Sequence, residues 1–390
     1  MPSPSYHAVQ PDMLDERSDW LRKQQRGSTR TKRIIYIGVA FLLAAIIAIA
    51  VGVTVSNNNK HKTSLSSTAG TVHSDPNDPS KFDKDPRLHR SFYGFAYTPL
   101  GAQMPSCGAT QANVTEDIQL LSQLTPRIRI YGADCNQTAL VLQAIQDTKV
   151  DMQVYLGIFV DDTDTVYTRQ RDAVKKAIQD YGTDHIAGVT VGNEFMLNAV
   201  GDNGDATGAA GIKAATYLDN KIADFRSTLK SMNLAKTIPV GVADAGSYFN
   251  LQLLSAVDYG MANIHPWFAL TTINDAAGWT YDFFQNTNVA QAANAPNHPD
   301  LYIAETGWPT KSSDAAHASN GAATASVANL QTFLDTFVCQ SNANGTKYFF
   351  FEFFDEAWKD AQFGGVEGWW GIFDGNKKLK NVTIPNCVLS

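Results

Sequence analysis

Leu301-Tyr-Ile-Ala-Glu-Thr-Gly-Trp-Pro-Thr310 carries an apolar run straight into a carboxylate, Glu305. Leu301 to Ala304 has the length and composition of a short buried strand, and Gly307 and Pro309 stop it. The spacing therefore predicts Glu305 at the strand's C-terminal end. Ile186-Ala-Gly-Val-Thr-Val-Gly-Asn-Glu-Phe195 repeats the arrangement and puts Glu194 at the end of a second buried strand. One strand-end glutamate is ordinarily a cap or a surface group. Two on separate elements, one preceded by Asn193 and the other followed by Gly-Trp-Pro, suggest a pair of carboxyl groups sharing a site.

Outward from these stretches, strand-like runs alternate with helix-compatible segments from Ser91 onward. Eight runs qualify: Phe92 to Tyr97, Arg127 to Tyr131, Met152 to Phe159, Ile186 to Gly192, Ile238 to Ala243, Tyr259 to Ile264, Leu301 to Ala304 and Tyr348 to Phe353. Thr115 to Leu124, Thr138 to Thr148, Val166 to Tyr181, Ala214 to Met232 and Ala322 to Cys339 space their apolar residues as helices do. Eight such alternations predict an α/β fold, a (β/α)8 TIM barrel over residues 91–390. Active sites of this fold open at the C-terminal strand ends. Glu194 on the fourth strand and Glu305 on the seventh then face one mouth.

The chain has 390 residues and a net charge of -7, but the charge is uneven. Residues 1–33 hold seven basic groups against four acids, so this tail is +3 and the remainder is -10. Such a balance argues against nucleic acid, whose binders carry basic stripes. The tail reads as disordered and cytoplasmic. Ile34 to Val55 is an uncharged run of 22 residues, long enough to span a bilayer core of about 30 Å. Arg30, Lys32 and Arg33 precede it, so the positive-inside rule predicts a type II signal anchor. Ala48-Ile-Ala50 leaves a cleaved leader as an alternative. Residues 56–90, rich in Ser, Thr, Asn, Asp and Pro, read as a flexible stalk.

Everything after Val55 would then face an oxidising exterior. Cys107, Cys135, Cys339 and Cys387 make an even count; of three connectivities, the pairs nearest in sequence, Cys107 with Cys135 and Cys339 with Cys387, are preferred. Four glycosylation sequons begin at Asn113, Asn136, Asn344 and Asn381, all beyond the apolar run. No CxxC or histidine cluster suggests a metal, and no serine nucleophile elbow or phosphate-binding glycine loop competes with the paired carboxylates.

Five pieces together resemble glycoside hydrolase family 17, the β-1,3-glucanases of plants and fungi: Phe92-Tyr-Gly-Phe-Ala-Tyr97, Arg129-Ile-Tyr-Gly132, Gly192-Asn-Glu194, Ala304-Glu-Thr-Gly-Trp-Pro309 and Phe354-Asp-Glu-Ala-Trp-Lys359. Asp134-Cys-Asn-Gln137 and Val366-Glu-Gly-Trp-Trp-Gly-Ile-Phe373 look closest to the fungal cell-wall members. Plant members usually carry Tyr where His265 stands, so the contact at that strand end departs from their pattern.

The resemblance implies a retaining glycosidase with Glu194 as acid/base and Glu305 as nucleophile. That chemistry needs two carboxyl groups about 5 to 5.5 Å apart. Asn193 is then expected on the sugar 2-hydroxyl, and Glu356 and Lys359 on the acid/base region and sugar hydroxyls. The alternative for the last two is an exposed ion pair worth about 0.3 kcal/mol. Tyr131, Trp267, Phe268 and Trp308 are expected to stack on pyranose rings, with buried packing as the alternative for each. His265 is a candidate for orienting a glutamate. Glu352 is ambiguous, and Asp244 is left out of the catalytic set.

The expected activity is hydrolysis of internal β-1,3-glucosidic bonds, as by a glucan endo-1,3-β-glucosidase, in cell-wall remodelling. The expected setting is a monomer at the plasma membrane with the barrel facing the wall, needing no cofactor. The rivals are β-1,3-glucanosyl transfer by the same residues, a glucan-binding wall tether without catalysis, and action on β-1,4-mannan.

Overall fold

The computed structural model describes residues 74–389 apart from 76, 202 and 203. The tail, the apolar run Ile34 to Val55 and the stalk as far as residue 73 lie outside the described residues. Eight parallel strands close into a barrel: β1 (Gly94–Ala96), β2 (Arg127–Arg129), β3 (Gln153–Ile158), β4 (Ile186–Asn193), β5 (Val240–Ala245), β6 (Tyr259–Asn263), β7 (Asp300–Thr306) and β8 (Tyr348–Phe350). They pair in chain order, with β8 against β1 closing the ring. All eight expected strands are present.

A helix follows each strand: α1 (Gln111–Leu121), α2 (Gln137–Thr148), α3 (Asp164–Tyr181), α4 (Ala209–Ser231), α5 (Leu251–Ser255), α6 (Ile273–Phe283), α7 (Val327–Ala343) and α8 (Ala357–Phe363). In α7 the buried residues Leu330, Phe333, Leu334, Phe337 and Val338 recur at i, i+3, i+4, i+7 and i+8, a stripe that faces the sheet. The Ser326 side chain caps its first turn by accepting from the Asn329 N–H at 3.0 Å, a contact worth about 1 kcal/mol. Among the described residues, no helix is long and apolar enough to cross a membrane.

Alternation along the strands separates two cores. Ile303 on β7 points outward to the helices, whereas its neighbours Tyr302 and Ala304 point inward with Tyr155, Tyr259, Met261 and Phe349. These rings fill the barrel's lower half. A Cβ on Gly241 would stand 2.2 Å from the Tyr259 ring, so the tyrosine needs a bare backbone beside it.

The stalk ends earlier than expected. Ser74–Asp75 and Asp78–Phe82 form a hairpin, and buried amides at the end of α1 hold this segment and its continuation to the barrel. The Gln119 side chain donates to the Pro79 carbonyl at 2.8 Å, and the Asp85 N–H donates to Gln123 at 2.8 Å. Leu88 is buried in the core. Both expected disulfides form, Cys107–Cys135 and Cys339–Cys387. The second ties α7 to the C-terminal segment, which reaches back to Ser91, where the Cys387 N–H donates to the Ser91 hydroxyl at 3.0 Å.

Candidate active site

Strict alternation would turn Glu305 outward, since Tyr302 and Ala304 point in. The ladder shows why it does not. Ala262 pairs with Ile303, but the next residue, Asn263, pairs with Glu305, so β7 carries one extra residue just before the carboxylate. Strand β4 does the same against β5: Thr190 pairs with Gly241, and Asn193 with Ala243. Gly192 takes φ +86 within that second irregularity, a conformation that suits a residue without Cβ. Bulges of this kind re-aim side chains beside active sites. Both strands thus bring their polar residues into the mouth.

Arg129, on β2 and 2% exposed, joins those residues together. Its guanidinium donates to Glu305 Oε1 at 3.3 Å, Asn263 Oδ1 at 3.3 Å, the Ala304 carbonyl at 3.1 Å and Asn193 Oδ1 at 2.9 Å. Asn263 in turn donates to Glu194 Oε1 at 3.0 Å. One amide therefore links the two glutamates, reaching Glu194 directly and Glu305 through Arg129. His265 Nε2 lies 3.2 Å from Glu305 Oε2; a carboxylate only accepts, so this nitrogen carries the hydrogen. Tyr131 lies under Arg129, 4.6 Å from its guanidinium carbon to the ring centre.

These partners decide the charge on Glu305. Burial alone would raise its pKa, but the His265 hydrogen bond, the Arg129 charge and Tyr131 outweigh that and hold the carboxyl below its ordinary range. It is an anion in a dry, donor-lined setting. Glu194 takes left-handed backbone angles, φ 54 and ψ 30, at the head of the short helix Phe195–Val200. Asp244, buried at the end of β5, caps that helix by accepting from the Met196 and Leu197 N–H groups at 2.7 and 3.1 Å. Asp244 thus positions the segment that carries Glu194.

Glu356 and Lys359 do not form an exposed pair. Both are buried, and Lys359 Nζ binds Glu356 and also Glu352, the latter at 2.6 Å. Burial and then the Glu356 charge push the Glu352 carboxyl well up, while the two glutamates keep the buried Lys359 protonated against its own desolvation. Trp358 Nε1 donates to Glu356 at 2.9 Å, and Lys359 Nζ lies 4.5 Å over the Phe351 ring. Phe351 packs on His265, with ring centres 5.1 Å apart, so the cluster backs the residue that holds Glu305.

Two expected stacking faces are not available. Trp267 and Trp308 are 2% and 0% exposed and meet edge to face at 5.7 Å, and the Trp308 indole donates to the Thr324 carbonyl. Their rings are packing, because the loops after β6 and β7 must bury apolar surface against α7. Phe268 stays partly exposed beside His265 and Trp370. Arg129 and Asn263 were missed as site residues, since a strand arginine or a lone asparagine carries no local signal. Glu367 was missed as well. Burial, with the charges of Glu194 and Glu305 adding to it, pushes its carboxyl up to about 7 against the opposing influence of Lys359 and His265. Among the described residues, no group of three or more His, Cys, Asp and Glu is arranged to hold a metal ion.

Residues 94–371 match the family described as the BtgE/BtgC glycoside hydrolase domain. The chain is 34% identical to a probable glucan endo-1,3-beta-glucosidase btgC of Aspergillus flavus, covering 99% of this chain and 58% of that protein. The corresponding Aspergillus fumigatus protein is 38% identical, over 77% of this chain and 44% of its own length. The chain therefore spans about half the length of these relatives. Among solved structures, the glycoside hydrolase family 17 beta-1,3-glucanosyltransferase of Rhizomucor miehei superposes with a TM-score of 0.61 at 25% identity, covering 76% of this chain and 97% of that one.

Proposed function

Since the chain belongs to the BtgE/BtgC glycoside hydrolase family, we propose that it cleaves internal β-1,3-glucosidic bonds of cell-wall glucan with retention of configuration. What supports this reading most is the network in which Asn263 and Arg129 tie Glu194 to Glu305 across four strands. Glu305, held ionised, attacks the anomeric carbon, and Glu194 gives its proton to the departing oxygen. The ester uncharges Glu305, and Glu194 then takes a proton from the incoming hydroxyl. Asn193, fixed by Arg129 at 2.9 Å, suits a contact to the 2-hydroxyl that strengthens in the transition state.

The second reading keeps every residue and changes the acceptor. The likeness to a glucanosyltransferase favours it: a second glucan chain, rather than water, resolves the ester. Time-resolved product analysis with one β-1,3-linked oligosaccharide separates the two. Only shorter products mean hydrolysis; products longer than the substrate mean transfer; binding without turnover would overturn both in favour of a wall tether. Activity on mannan and none on laminarin would overturn the substrate.

The apolar run Ile34 to Val55, with three cations just before it, supports a type II anchor that leaves the barrel outside the cell. Alkaline extraction of membranes and protease accessibility of intact cells test this. A protein released by alkali would end the anchor reading.

A further inference from the structure

The N-terminal end of the barrel carries a groove of about 430 Å³. It lies between Phe284 and Val289, just beyond α6, and the starts of β7 and β8. Asp300 on its wall and Glu305 at the catalytic mouth sit at opposite ends of β7, so the groove is remote from the glutamates. Its volume is in the range of small-molecule sites.

The groove's own lining includes a sequon. Asn344-Gly-Thr346 forms its rim, and Asn344 is exposed at the C-terminal end of α7. The Thr346 hydroxyl is buried in the lining and has no hydrogen-bond partner in the protein. Asn113, Asn136 and Asn381 are also exposed, but none of them borders this groove. Two disulfides point to the oxidising compartment in which sequons are read.

We propose that Asn344 is N-glycosylated and that the first N-acetylglucosamine of its glycan lies in this groove. The bond forms between Asn344 Nδ2 and the anomeric carbon of a polyprenyl-pyrophosphate-linked oligosaccharide. The amide loses one proton, and the lipid pyrophosphate leaves with the electron pair of the broken bond. Val289 and Leu301, both partly exposed, offer apolar surface to the ring's C–H face, and Thr346 offers its hydroxyl to the acetamido group. The glycan acts there as a structural filler and not as substrate, so the inference stands apart from the glycosidase reading.

The test uses the full chain from a glycosylating eukaryotic host, trimmed by an endoglycosidase to a single N-acetylglucosamine. Glycopeptide mass spectrometry should find Asn344 occupied. The trimmed protein should melt about 2 °C above N344Q and show slower hydrogen exchange over residues 284–293. A293R, which fills the groove and keeps the sequon, should retain occupancy and lose both effects. An unmodified Asn344, or a modified one that changes neither melting nor exchange, overturns the proposal.

Discussion

At its N-terminal end the barrel is filled by Tyr155, Tyr259, Tyr302 and Phe349, whose rings meet edge to face at 5.4 to 5.8 Å. At the other end the same cross-section holds Arg129, Asn193, Asn263 and Glu305. The lower end pairs its hydroxyls within itself, Tyr155 to Tyr302 at 3.1 Å and Tyr259 to Thr190 at 3.0 Å. The upper end leaves buried groups without a partner in the protein, among them His265 Nδ1 and the indole N–H groups of Trp369 and Trp370. The aromatic core closes on itself, whereas the polar end carries unpaired groups whose cost the aromatic packing offsets.

Substitutions should respect that division. The largest effect on turnover is expected from E305Q, which keeps the shape and removes the attacking anion: kcat should fall about 10⁴-fold or more. It also leaves the buried Arg129 cation without its carboxylate, so Tm should fall as well; an unchanged kcat on laminarin would remove Glu305 from the chemistry. R129M should break the comparison, because it strips a buried carboxylate of its cation. Stability should drop by about 3 to 5 kcal/mol and activity should go with it, as urea unfolding and laminarin assays on one sample would show.

At the aromatic end, G241A drives a Cβ into the Tyr259 ring and should cost about 1 to 3 kcal/mol. Turnover per folded molecule should stay unchanged, and a changed KM would show that the two ends are not independent. A pH series sharpens the contrast further. Glu367 is pushed up to about 7 in the fold, above an ordinary glutamate. Between those values the native state binds more protons than the unfolded one, so this group makes stability fall as pH rises. E367Q should flatten that slope between about pH 4.5 and 7; an unchanged slope would remove Glu367 from the site's charge balance. The smallest effect is expected from Y302F, which deletes one buried hydroxyl pair for about 1 kcal/mol and no change in kcat.

The sequence made the eight strands and their order legible, because a barrel strand writes its burial into consecutive residues. Glu194 and Glu305 were legible as strand-end carboxylates. Their direction was not: alternation from Tyr302 and Ala304 turns Glu305 away from the mouth, and the extra residues in β4 and β7 that correct this appear only in the pairing register. Arg129 and Asn263 were hidden for a related reason, since their contacts lie 64 to 176 residues away in the chain. Trp267 and Trp308 failed in the opposite direction. Loop aromatics near a mouth read alike whether they face a ligand or the helix behind it. The hairpin at residues 74–82 escaped because a mostly polar, proline-containing segment can be held by buried amides of a neighbouring helix with Phe82 as its one large apolar residue.

Arg129 belongs to β2, yet every hydrogen bond it makes to the site reaches β4, β6 or β7. Those strands come into its reach only once the ring has closed. During synthesis, β2 emerges early and β7 late, so Arg129 waits without the carboxylate that it pairs with until β7 is seated. The two glutamates are therefore aligned only in the closed ring, and no half of the barrel holds the site by itself.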